Sequence, residues 1–215
     1  MNDSVQCNRR QALRLLAVTG AAGAVVLSAP ALAAKCETDG TPLQFTPKTA
    51  PDANPVENDI AKYPKCPYCG MDRKQFNYSR HLVQYQDDLV DGICSLHCAA
   101  LSLALNLDRG TKAIYAADFG AKTDPKPLVN VDQATYLIGS KLPGVMTQQS
   151  KVAFAAKADA EVAKVENGGE LGNFDTALHA SYLSMAGDTA MIRKKRVEMQ
   201  QKAAGQAGHA AGHTQ

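Results

Sequence analysis

Tryptophan is absent from this sequence, and aromatic residues of any kind make up only 6% of its 215 positions. An excess of charge is missing as well: 23 lysines and arginines stand against 21 acids, for a formal charge of +2. A near-neutral chain with no basic stripe and few rings to stack on bases is excluded as a nucleic-acid binder. Long hydrophobic runs are also lacking. The only sustained apolar stretch, from Leu15 to Ala29, is short and diluted by alanine and glycine, so it argues against a membrane span.

That stretch is an export signal instead. Arg9 and Arg10 precede it, Ala31-Leu32-Ala33 ends it as an A-x-A cleavage site, and the paired arginines point to the twin-arginine route. Cleavage removes Arg9, Arg10 and Arg14 but only Asp3, so the small positive excess vanishes. Lys35, directly before Cys36, argues against lipidation of that cysteine, which needs a small neighbour. The expected location is the periplasm. Cys7 leaves with the signal, and Cys36, Cys66, Cys69, Cys94 and Cys98 remain, an odd number that cannot all pair within one chain.

Segments 1–33 (signal) and 34–62 (an extended, proline-punctuated tether) precede the first structured residues. Residues 80–86 (RHLVQYQ) alternate as a strand and 89–93 return as another. Apolar spacing over 95–106 predicts a helix, and 112–119 a third strand. Strands at 135–139 and 151–156, a helix over 157–167 and a strand at 170–174 repeat that order. The fold class expected is α+β: two small ββαβ-type units, a possible duplication, over 63–123 and 124–174. Helices follow over 175–202, jointed at Gly187-Asp188, and the tail 203–215 reads as disordered.

The chemistry sits in KCPYCGM, residues 65–71. C-P-Y-C is a form that the dithiol of glutaredoxins takes, but such a dithiol joins a buried strand to a helix start, where the helix end lowers the thiol pKa. Here a proline stands two residues before Cys66, and Gly70, a poor helix starter, follows Cys69. A metal knuckle needs a permissive glycine there. Downstream, Cys94 and Cys98 lie four apart at a strand-to-helix junction and so share one face. Two such pairs separated by one hairpin can converge on a soft metal ion. The alternatives are a structural four-cysteine zinc site, two disulfides, and thiol redox work.

Other soft donors favour copper. Met71 follows the knuckle, His97 lies between Cys94 and Cys98, and Met146 sits in the loop LPGVM. Thiolates with thioethers suit Cu(I), whereas zinc seldom takes methionine. Met185, Met191 and Met199 read as packing residues on the C-terminal helix, and His97 has a competing reading as a helix-surface residue. His209 and His213 are weaker candidates in the tail.

From Tyr63 to Phe174, CPYCGM, a hairpin closing in Asp91-Gly92, TYLIGSKLPGVM, VAFAAKADAEV and Gly168-Gly169 together resemble the NosL family, periplasmic copper-binding accessory proteins of nitrous-oxide reductase. The resemblance implies a two-unit fold, Cu(I) as cargo, no enzymatic activity, and a metal recipient such as nitrous-oxide reductase or its assembly factors. It reaches Cys66, Cys69, Met71 and Met146 residue by residue. The CSLHC pair departs from many members and is similar to heavy-metal-sensing (TRASH-type) modules. Lipidation of the kind usual in the family is also not supported here. The expected metal set is therefore Cys66, Cys69, Cys94 and Cys98 with Met146 exchangeable, and Met71 and His97 nearby. Its runner-up is an interaction module built on zinc, and a third reading is a CPYC thiol oxidoreductase.

Overall fold

A computed structural model describes residues 49–107 and 109–211, with side chains described as far as Ala203. The export signal, Cys36 and most of the proposed tether lie outside the described residues. Among the described residues, seven strands and four α-helices follow in the order α1 (Asp59–Lys62), β1 (His81–Tyr85), β2 (Val90–Ile93), α2 (Leu96–Leu105), β3 (Thr111–Ala117), β4 (Leu128–Asn130), β5 (Thr135–Ile138), β6 (Lys151–Phe154), α3 (Lys157–Asn167), β7 (Glu170–Gly172) and α4 (Phe174–Ala211). The class is α+β. One antiparallel sheet runs β2-β1-β3-β4 and the other β6-β5-β7. In each half the first strand is central, flanked by its hairpin partner and by the strand that follows the helix. The repeat expected from the order of elements is thus also a repeat of pairing, with the short β4 added to the first half.

The alternation in β1 and β2 assigns their two faces. His81, Val83, Tyr85, Asp91 and Ile93 point one way; Leu82, Gln84, Val90 and Gly92 point the other. Both faces are buried. The first meets the central core, where Val83, Tyr85 and Ile93 pack with Ala99 of α2, Tyr136, Ile138 and Ala153 of the second sheet, and Ala177 of α4. Buried His81 ties the sheets together. Its Nδ1 donates to the Ser79 carbonyl at 2.9 Å, which leaves Nε2 to accept from the Tyr136 hydroxyl at 3.1 Å.

The opposite face is covered by Tyr63, and residues 52–62, the described end of the segment expected to be an extended tether, are tied to the domain beside it, a correction to that expectation. Tyr63 packs on Leu82 and Val90. A Cβ at Gly92 would stand 2.3 Å from the Tyr63 Cβ, so only glycine fits beneath that ring. Asp52 meets the turn between β1 and β2, its N–H donating to the Asp88 carbonyl at 2.7 Å and its carboxylate accepting from Lys62 and Tyr63. Asp59 is buried between two guanidinium groups, Arg73 at 2.8 Å and Arg80 at 2.9 Å. An unpaired acid in that position would be expelled to water; paired twice, it anchors residues 52–63 to the domain.

A second correction concerns α4. Gly187-Asp188 is not a joint, because the helix is continuous from Phe174. Ala177, Ser181 and Asp188 form its buried stripe, and Tyr182 donates to the Ala100 carbonyl of α2 at 3.0 Å. The Asp188 carboxylate accepts the Gln148 N–H from outside the helix and the Ser184 hydroxyl from one turn earlier within it, both at 2.8 Å, so its side chain is held on both sides. The backbone stays helical through 203–211, within the tail read as disordered. The side chains of 204–215, His209 and His213 among them, lie outside the described residues. No helix among the described residues is long and apolar enough to cross a membrane.

Candidate metal centre

Residues 65–72 form a tight knuckle. Lys65 and Asp72 pair as an antiparallel bridge, the Cys66 N–H donates to the Met71 carbonyl, and the Gly70 N–H donates to the Cys66 carbonyl, each bond 2.9 Å. Gly70 has φ +79, the left-handed conformation that glycine adopts without a Cβ penalty. The chain then turns through residues 73–76 to a 3-10 turn at Asn77–Ser79. Cys69 therefore has no α-helix behind it, and the dithiol lacks the helix end that would activate a glutaredoxin-type thiol.

Cys94 follows the last residue of β2, and Cys98 lies in the first turn of α2. The hairpin carries this pair back over the knuckle. The four sulfurs all lie within 4.8 Å of one another, Cys69 to Cys94 at 3.4 Å and Cys94 to Cys98 at 3.7 Å. Each of the four is a free thiol, and these separations far exceed the roughly 2.05 Å of a disulfide. A tetrahedral ion about 2.3 Å from each sulfur needs sulfurs about 3.8 Å apart. The cage has that size already. The positive end of α2 adds favourable potential for the anionic thiolate set.

The thiols share their charge unevenly. Hydrogen bonds from Cys69, then Cys94 and Cys98, hold the Cys66 thiol far below its usual range. Cys69 is raised by Cys66 but lowered by Cys94 and Cys98, and ends below its usual value. Cys94 and Cys98 are pushed well above theirs, first by Cys66 and then by Cys69. Within the cage the four thiols thus share their protons, and Cys66 gives its own up most readily. A soft cation entering it must displace those protons.

Neighbouring groups brace the knuckle. Tyr68, inside C-P-Y-C, donates to buried Asp91 at 2.5 Å, and Asp91 also accepts from Ser102 at 2.7 Å. Ser79 donates to the Cys94 carbonyl at 2.7 Å. Sequence reasoning overlooked these. The available signal was Asp91 itself, an acid inside an otherwise apolar strand. His97 is buried rather than on the helix surface. Its Nδ1 stands 3.6 Å from the Asp188 carboxylate of α4, and burial lowers its pKa against the pull of that acid. It falls outside the group of four converging donors. Met71 and Met146 are half-buried against the same core, Met146 at φ +59, and both border a cavity next to Cys69.

A family model described as NosL matches residues 56–181, well over half of the chain. Among solved structures, the crystal structure of the copper chaperone NosL from Shewanella denitrificans aligns with 52% of this chain and 87% of that one, at 26% identity and a TM-score of 0.44. Among curated proteins none matches.

Proposed function

We propose that this chain, which belongs to the NosL family, is a non-enzymatic periplasmic carrier of Cu(I) that delivers copper for the maturation of nitrous-oxide reductase. The observation that carries the reading is the convergence of four free thiols from two distant segments on a space the size of one thiolate-bound ion. Cys66, Cys69, Cys94 and Cys98 hold the ion. Met146 is an exchangeable ligand, with Met71 beside it, because a neutral thioether grips Cu(I) less firmly than a thiolate does. The arginine pair Arg9-Arg10 supports export by the twin-arginine route, and the family resemblance supplies the recipient.

Metal analysis of anaerobically purified protein tests the reading. One Cu(I) per chain supports the carrier. One zinc that chelators fail to remove supports a structural module instead, and no metal with a reversibly reducible dithiol supports an oxidoreductase. Met146→Leu preserves volume and hydrophobicity while removing the sulfur. The variant is expected to keep the melting temperature of the metal-free protein and to lose Cu(I) affinity or transfer rate. Unchanged affinity together with unchanged transfer refutes the role given to Met146.

A further inference from the structure

Four of the six methionines in the chain meet at one cavity of about 390 Å³: Met71, Met146, Met191 and Met199. Cys69 borders it too, and of the four caging cysteines Cys69 is the one that is not buried. The cage is closed by core on its other sides, so its accessible side opens onto thioethers. Two of these come from α4, outside the CPYCGM and LPGVM segments. Met191, Lys195 and Met199 are spaced by four and share one helix face. The helix is tied to the knuckle at this level, Arg196 donating to the Cys69 carbonyl at 3.1 Å. Packing alone does not account for Met199, which is 67% exposed and still borders the cavity.

We propose that Met191 and Met199, facing Met71 and Met146, form a second and weaker Cu(I) site at the mouth of the cysteine cage, through which copper passes in and out. The proposal rests on the carrier reading above and adds a route to it. Thioethers are soft, neutral donors that need no deprotonation, so they exchange readily with thiolate. On release one Cu–S bond to Cys69 breaks as a Cu–thioether bond forms. The copper remains Cu(I), and the freed thiolate takes a proton from water. Lys195 and Arg196 also border the cavity. Their charge opposes hydrated divalent ions there, whereas a monovalent ion held by soft donor atoms is opposed less.

The test uses the full exported chain under anaerobic conditions with carbon-13 methyl-labelled methionine, and Ag(I) as the redox-inert probe. Once a first equivalent has filled the cage, a second is expected to shift the methyl signals of Met191 and Met199 and to leave that of Met185, which does not border the cavity. In Met191→Leu/Met199→Leu, Cu(I) affinity measured by chelator competition should stay within about threefold, while release to an excess of chelator slows about tenfold, the equivalent of about 1.4 kcal/mol in the barrier. Met199→Leu alone, at an exposed position, gives a milder version of the same change with no risk to folding. Methyl signals that do not move, or release as fast as in the wild type, overturn the second site. Wild-type protein that cannot hold Cu(I) against the chelator sinks the carrier reading instead, and the methyl titration remains a separate readout.

Discussion

Acid should weaken this fold in part through the imidazole of His81. His81 is fully enclosed between the two sheets, donating to the Ser79 carbonyl and accepting from Tyr136, and burial pulls its pKa down from 6.5 to about 4. The unfolded chain keeps a histidine near the ordinary value of about 6.5. Between these values the unfolded state binds a proton that the folded state refuses, so stability rises with pH across the window from about 4 to 6.5. Going from pH 7 to pH 4.5 should therefore cost about 2 kcal/mol from this group alone, at about 1.4 kcal/mol per pH unit of displaced titration. Urea unfolding of the metal-free, reduced protein at the two pH values measures the loss. His81→Gln keeps a polar group of similar reach but cannot be protonated, so its loss over the same interval should be smaller by that amount. Equal pH dependence in the wild type and His81→Gln refutes the assignment of a neutral, Tyr136-bonded imidazole.

Cys66→Ser, Cys69→Ser, Cys94→Ser and Cys98→Ser should each weaken Cu(I) binding by orders of magnitude in chelator competition, because a hydroxyl is a hard, neutral donor; a cysteine whose replacement leaves affinity intact is not a ligand. Asp59→Asn leaves Arg73 and Arg80 buried without their counter-charge and should destabilise the protein by about 3 kcal/mol, read as a lowered denaturation midpoint. An unchanged midpoint would mean that residues 52–63 are not anchored as described. Gly92→Ala places a methyl against Tyr63 and should cost about 1–3 kcal/mol; Gly168→Ala, with open space around it, should cost about 1–3 kcal/mol through the backbone alone, because φ 70 and ψ −164 is a conformation that essentially only glycine adopts.

The sequence by itself determined whatever depends on neighbours along the chain. Period-two alternation placed β1, and the helical spacing of apolar residues placed α2. Both signals arise within a few residues of one another. Cys-x2-Cys-Gly stated a knuckle, since the backbone between residues 66 and 70 closes on itself and only Gly70 tolerates the φ this requires. Cys94 and Cys98, at a helix start, were legible as a second pair for the same local reason.

Only the tertiary structure decided that the two pairs meet, since their approach to within 4.8 Å depends on the hairpin register bringing β2 back beside the knuckle. Tertiary structure also drew residues 52–63 onto the sheet. A proline-rich, polar segment has no periodicity to announce burial, and Asp59 is tolerated inside only because Arg73 and Arg80 arrive from 14 and 21 residues away. Gly187-Asp188 read as a helix break because glycine and aspartate disfavour helix locally. The donors that hold Asp188 in place come from Gln148, 40 residues earlier, and from Ser184. His97 turned inward for a related reason: α4 presents that carboxylate to it. Met191 and Met199 came to face the cage because α4 packs against α2 and is tied at Cys69, a contact across 127 residues that no local pattern encodes.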